Sequence, residues 1–101
     1  MDSIEVIARV IEDIKSDFGK RVKPEIGSPI VSHGEKQFRK GENWTYKEAV
    51  DFAEHLASAV RLYSDSNFNG QYKSKINAAV MQYAKTSGGY PYISEGKPAC
   101  S

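Results

Sequence analysis

Three side chains in this sequence are of the types that most often act as nucleophiles, bases or transition-metal ligands: His33, His55 and Cys100. None stands three or four residues from another, the spacing that brings two zinc ligands onto one face of a helix. A reactive thiolate needs a fixed base and positive surroundings, and Cys100 is the penultimate residue. We therefore expect no metal site, no cofactor and no catalytic residue, and a protein that is not an enzyme.

A second pattern with chemical meaning is the stretch from Asp65 to Gly70, which looks like the first half of a calcium-binding EF-hand loop. The place of the bidentate glutamate that calcium requires is taken by Ile76, and Lys73 lies nearby. Asp, Asn and Gly are also the residues that ordinary turns prefer. The sequence predicts a plain turn here.

The densest group of chemically useful side chains is basic. Residues 20 to 40 contain six basic and two acidic residues, a local net charge of +4 in a chain whose overall net charge is +1. Trp44 follows this segment and has the size and N–H donor of a residue that anchors a partner. We interpret the following residues as the partner-binding surface: Lys20, Arg21, Lys23, Lys36, Arg39, Lys40 and Trp44.

The basic segment has three interpretations: it binds phosphate groups, it binds an acidic protein surface, or it binds no partner. Phosphate groups of a nucleic acid or a nucleotide would be attracted to it, and so would an acidic protein surface. The alternative is that the basic residues only keep a loop in water, since Glu25, Glu35 and Glu42 dilute their charge. A salt titration separates phosphate binding, which weakens steeply with salt, from docking of apolar surfaces.

Length and composition limit the architecture to one domain over residues 1–101. The chain is 40% hydrophobic and 27% charged, values that are typical of a globular protein. A single cysteine excludes an intramolecular disulfide and favours the cytoplasm. No apolar run approaches the roughly 20 residues that a membrane span needs, so we expect no membrane partner.

Three amphipathic stretches predict a mainly α fold, a small three-helix bundle. Apolar residues recur at helical spacing near residues 3–18, 46–64 and 73–86. An N-cap side chain followed three residues later by a glutamate, the capping-box pattern, opens the first two helices. Beyond the third helix, proline and glycine residues predict an extended tail over residues 88–101.

The segment between the first two helices, residues 20–44, is expected to be a long connection. Prolines and glycines interrupt it at five positions: Pro24, Gly27, Pro29, Gly34 and Gly41. A small hairpin fits its middle, with His33 and Gly34 as the turn between residues 30–32 and 36–38. Connections of this length are often functional, which is a second reason to assign partner binding to it.

The centres of the apolar arcs predict the core. Ile11 lies at the centre of the arc of the first helix and Leu56 at the centre of the arc of the second. We expect both side chains to be buried.

Spare apolar surface predicts a homodimer. Val6 and Val10 widen the apolar arc of the first helix beyond a single packing stripe. Leu62 and Met81 lie in the polar arcs of their own helices. These four residues form the expected oligomer interface.

The sequence as a whole favours a small non-enzymatic regulator, inhibitor or adaptor that binds a macromolecular partner, most simply a protein. An inhibitor from a phage or a mobile element would fit this size. The alternative is a nucleic-acid or nucleotide-binding protein that uses the basic segment 20–40.

Overall fold

The computed structural model of the protein describes residues 3–87, with side chains from residue 5 to residue 83. This part of the chain contains four α-helices and no strand: α1 (Ser3–Arg21), α2 (Pro24–Phe38), α3 (Tyr46–Tyr63) and α4 (Gln71–Ser87). The mainly α class is confirmed. The three-helix bundle is wrong, because a fourth helix fills most of the expected connection. The predicted tail over residues 88–101, with Cys100, lies outside the described residues.

Helix α2 forms in spite of its two prolines. Pro24 stands at the start of the helix, where a backbone N–H has no partner in the helix anyway. Pro29 lies inside the helix and removes the hydrogen bond to the carbonyl of Glu25, an exposed residue in the first turn. The predicted hairpin is therefore wrong, and Gly34 lies in a helical turn of α2.

The two glycines of α2 are points of close packing. A Cβ on Gly27 would stand 3.1 Å from Cε2 of Phe18 in α1. A Cβ on Gly34 would stand 2.6 Å from Cδ2 of His55 and 2.9 Å from the ring of Phe52, both in α3. Seven residues separate the two glycines, so they lie on one face of the helix. These glycines, which predicted an interruption of helical structure, are thus places where α2 packs closely against α1 and α3.

The helix boundaries follow the sequence signals in part. The capping box of α3 is confirmed: Thr45 Oγ1 accepts from the Glu48 N–H and Glu48 Oε1 accepts from the Thr45 N–H, both at 3.1 Å. Helix α1 does not end near residue 18, as expected, but continues to Arg21. The predicted capping box of α1 depends on Asp2, which lies outside the described residues.

The termini of the four helices lie at two opposite ends of the bundle. Only Val22 and Lys23 join α1 to α2, and residues 64–70 join α3 to α4. The hydroxyl of Tyr72, at the start of α4, donates to Asp17 near the end of α1 at 2.7 Å. The ends of α1 and α3 and the starts of α2 and α4 therefore lie together. We call this the Leu62 end, and the opposite end, with residues 36–46, the Trp44 end.

The core lies between all four helices. Ile11 and Leu56 are fully buried, as predicted. The largest fully buried side chains are Tyr72, Phe18, Phe52, Ile11, Ile14, Leu56, Ile76, Val60 and Val80. Within the described part of the chain, no helix is both long and apolar enough to span a bilayer.

The segment that looked like half of a calcium loop is the turn between α3 and α4. Asp65 Oδ1 accepts a hydrogen bond from the Asn67 N–H at 2.9 Å, a local contact that shapes the turn. Gly70 has a φ of 68°, a conformation that glycine adopts without a steric penalty. The contacts of this segment are those of an ordinary turn.

Candidate functional site

The six basic residues of the segment 20–40 do not form one surface. One group lies at the junction of α1 and α2: Lys20, Arg21 and Lys23. The other lies at the last turn of α2 and just beyond it: Lys36, Arg39 and Lys40. Because a helix of 15 residues is about 22 Å long, the two groups stand at opposite ends of the bundle. The single surface expected from the sequence is therefore divided by α2.

Arg21 belongs to a hydrogen-bonded network that fastens α1 to α4. Its Nε donates to Asp17 Oδ2 at 2.6 Å, and its guanidinium carbon stands 5.2 Å from the centre of the Phe68 ring. The Tyr72 hydroxyl donates to the same Asp17 oxygen at 2.7 Å. Burial, reinforced by this hydrogen bond, raises the pKa of Tyr72, so the hydroxyl remains a donor. Arg21 is thus occupied within the chain.

The same network makes stability depend on pH. Partial burial raises the pKa of Asp17, but the hydrogen bonds from Tyr72 and Arg21 outweigh it, and the pKa lies below its ordinary value of 3.8. A carboxylate whose pKa is lower in the folded chain adds stability above the unfolded pKa and loses it as pH falls through the folded pKa.

Tyr72→Phe removes one of these hydrogen bonds and should move the pKa of Asp17 upward. We expect a loss of about 1–2 kcal/mol in the free energy of unfolding near neutral pH. The loss should shrink below about pH 4, as Asp17 is protonated. Urea unfolding at several pH values measures it, with Tyr63→Phe at an exposed position as the matched control. A loss of the same size at every pH would contradict a role for the Asp17 charge.

Trp44 is part of the core and does not offer its ring to a partner. It is 5% exposed, and its ring centre stands 4.8 Å from that of Phe52. The guanidinium of Arg39 covers the indole at 5.7 Å and donates to the backbone carbonyl of Glu42. Trp44, which the sequence predicted as a partner anchor, therefore has little ring surface left for a partner, because the side chain packs in the core at the Trp44 end.

The wide apolar arc of α1 is used within the chain. Val10 is buried, and Val6 is half-buried on the same stripe. Asp17, seven residues after Val10, continues this stripe and accepts from Tyr72 of α4. Helix α1 contacts α2, α3 and α4. The apolar surface of α1 from which a homodimer was predicted therefore packs within the chain, against α4. Self-association stays an untested prediction.

Leu62 and Met81, the other two predicted interface residues, do not share a patch. Leu62 is 72% exposed in the last turn of α3, whereas Met81 is half-buried on α4. Met81 stands ten residues beyond the start of α4, a distance of about 15 Å along the helix axis. Of the two, Leu62 is the one that offers a large apolar surface.

The exposed apolar side chains gather at the Leu62 end. Among the described residues, three large hydrophobic side chains are exposed: Ile26 at 40%, Leu62 at 72% and Tyr63 at 53%. Rings of His33 in α2 and His55 in α3 are 6.1 Å apart. Ile26 precedes His33 by seven residues and Leu62 follows His55 by seven, so in the antiparallel pair both lie two turns from this contact. We infer that Ile26 and Leu62 are neighbours.

The histidines align α2 with α3. His55 Nε2 is hydrogen-bonded to the Ile30 carbonyl at 3.0 Å, and its ring centre stands 5.6 Å from that of Phe38. In the part of the chain that the structure describes, no three His, Cys, Asp or Glu side chains are grouped to hold a metal ion. The contacts of His55 set the register on which the Leu62 end depends.

A polar cleft of about 400 Å³ opens between α3 and α4, with Arg61 in its wall. Arg61 and Lys73 contribute two positive charges to its walls and Glu54 one negative charge, with Glu54 Oε1 at 3.4 Å from Lys73 Nζ. Neutral hydrogen-bonding groups complete it: Asn69, Ser74 and Asn77. Donors of this kind can receive a carboxylate.

Two residues of the Leu62 end were not predicted as site residues. Ile26 lies within the expected connection over residues 20–44, where no helix was predicted. The spacing of Ile26, Ile30 and His33 at intervals of four and three is a helical signal that could have placed Ile26 on a helix face. No protein-family model, curated protein or solved structure matches this chain. The assignment of the Leu62 end therefore rests on its own side chains.

Proposed function

We propose that this protein is a small non-enzymatic regulator, inhibitor or adaptor that binds a protein partner through the Leu62 end. The observation that supports the proposal is the position of the large hydrophobic side chains that are exposed among residues 5–83, which gather at one end of the bundle: Ile26, Leu62 and Tyr63. Exposed apolar patches rimmed by polar residues are typical of protein interfaces. Tyrosine is also enriched among the residues that dominate binding energies. The single cysteine fits a cytoplasmic setting.

Binding of a nucleic acid is the second candidate, and the division of the basic segment weakens it. Affinity for a phosphate backbone grows with the number of phosphates that basic side chains neutralise. Here the six basic residues fall into two groups about 22 Å apart, and Arg21 is paired with Asp17. A protein partner is therefore the better-supported proposal.

Affinity capture from an extract of the native host tests this function. The bait is the full chain, and the extract is treated with nuclease. We expect Ile26→Gln/Leu62→Gln to lower recovery of a captured protein at least roughly tenfold, since two apolar contacts are lost. The matched control is Lys36→Gln/Lys40→Gln, which changes two exposed residues of the Trp44 end and should alter recovery less than about twofold.

Two results would contradict the proposal. One is recovery of nucleic acid instead of protein, released steeply as salt is raised. The other is loss of the captured protein in the Trp44-end control while the Ile26 and Leu62 variant retains it.

A further inference from the structure

Basic side chains stand at the same end of the bundle as the exposed apolar residues of the Leu62 end. Lys20 and Lys23 are exposed at the junction that leads into α2, and Arg61 is exposed beside Leu62. Among the described residues, none of these three cations is paired with a carboxylate. Arg61 donates only to the hydroxyl of Ser58, at 3.2 Å. The rim therefore holds three positive charges that no acid of the described chain neutralises through an ion pair.

Two of the acids of this end accept hydrogen bonds from neighbouring groups of the chain. Asp17 accepts from both Arg21 and Tyr72. Asp65 accepts from a backbone N–H of its own turn. Glu25 lies in the first turn of α2, where the helix dipole favours a negative charge. Asp17 is paired with Arg21 and Glu54 with Lys73. The remaining cations, Lys20, Lys23 and Arg61, outnumber the exposed acids Glu25 and Asp65. This end therefore offers a partner a net positive charge.

The cleft between α3 and α4 extends the positive rim. Arg61 lines it together with Lys73, whose one ion pair with a described residue is a contact of 3.4 Å with the exposed Glu54. Ion pairs between exposed groups are weak, so a carboxylate from a partner can replace Glu54 at little cost. The cleft thus offers a place for an acidic side chain next to Arg61.

We propose that the Leu62 end binds an acidic protein segment, in which apolar side chains cover Ile26, Leu62 and Tyr63 while flanking Asp and Glu side chains meet Lys20, Lys23 and Arg61. This inference rests on the function proposed above and names the chemistry of its partner. A second copy of the chain fits this surface poorly, because it would bring the same three cations to the contact.

Titration of the full, isotope-labelled chain with defined probes, followed by backbone amide NMR, tests the inference. The first probe is a helical peptide with leucines along one face and glutamates flanking them, and the second is its twin with lysine in place of each glutamate. A single-stranded oligonucleotide and vesicles containing an anionic lipid are the third and fourth. We expect the acidic peptide to shift amides near residues 20–28 and 58–66 and to bind at least roughly tenfold tighter than its basic twin.

A matched pair of charge reversals locates the effect. Lys20→Glu/Lys23→Glu should weaken the acidic peptide at least about fivefold, and Lys36→Glu/Lys40→Glu at the Trp44 end less than about twofold. Circular dichroism checks that both variants keep the helical fold. Ile26→Gln/Leu62→Gln should weaken the acidic peptide as well, since the apolar contact is lost.

Several results would overturn the inference. Equal or tighter binding of the basic twin at this end would remove the acidic partner but leave the protein-binding function intact. Tighter binding of the oligonucleotide or the vesicles at the same amides would assign the end to phosphate groups. Shifts of these amides that depend on the concentration of the chain alone would assign it to a second copy. If no probe shifts them, the acidic segment is excluded, and the capture experiment decides separately whether a protein binds.

Discussion

Leu56→Ala is expected to lower the free energy of unfolding by about 2–5 kcal/mol, because a fully buried leucine is replaced by a cavity that its neighbours fill only in part. A domain of this size has a total stability of about 5–15 kcal/mol, so the variant loses a large fraction of it. Ile11→Ala removes an equally buried side chain from α1 and should lose a similar amount. Urea or guanidinium unfolding measures both.

The same substitution at an exposed position of the same helix is the control. Leu62 is 72% exposed in α3, so Leu62→Ala should change the free energy of unfolding by no more than about 0.5 kcal/mol. If Leu56→Ala and Leu62→Ala lost the same amount, the assignment of the buried and exposed faces of α3 would be wrong.

Gly34→Ala is expected to destabilise the chain by about 1–3 kcal/mol, although alanine favours a helix more than glycine does. The added Cβ would stand 2.6 Å from Cδ2 of His55 and within 3.0 Å of two atoms of the Phe52 ring. Real Cβ atoms do not approach so closely, so α2 must move away from α3 or these rings must shift. Thermal or chemical unfolding gives the size of the loss.

Gly19→Ala provides a matched control of opposite sign. No atom lies within 4 Å of a Cβ built on Gly19, which is an exposed residue within α1. Alanine there should stabilise the chain by about 0.5–1 kcal/mol. In a His55→Ala background the loss caused by Gly34→Ala should become smaller, because the closest contact is gone. A stabilising Gly34→Ala would contradict the packing of α2 on α3.

Three of the four helices were predictable because each carries its own signals. The apolar spacing of α1, α3 and α4 and the capping box at Thr45 and Glu48 are local features of the sequence. Helix α2 was missed because its stabilising contacts are not local. Glycines at 27 and 34 are unfavourable in an isolated helix. They are explained only by packing, because a Cβ at these positions would stand against side chains of α1 and α3. Tertiary packing thus overrode the local preference for a loop.

The candidate site was predictable only in part for the same reason. Leu62 could be singled out as an apolar residue on the polar side of its helix, and it is indeed exposed. Ile26 could not be placed beside it, since their proximity depends on the register set where His33 meets His55. The burial of Trp44 could not be predicted from the sequence either, because it depends on the contact with Phe52.

Photo-cross-linking in the native host tests the central claim, that a protein partner binds the Leu62 end, most directly. A photoreactive amino acid is placed at position 62 in one variant and at position 36, an exposed site of the Trp44 end, in the other. We predict one discrete protein adduct from position 62 and none of that mass from position 36. An adduct that forms from position 36 and not from position 62 would contradict the account.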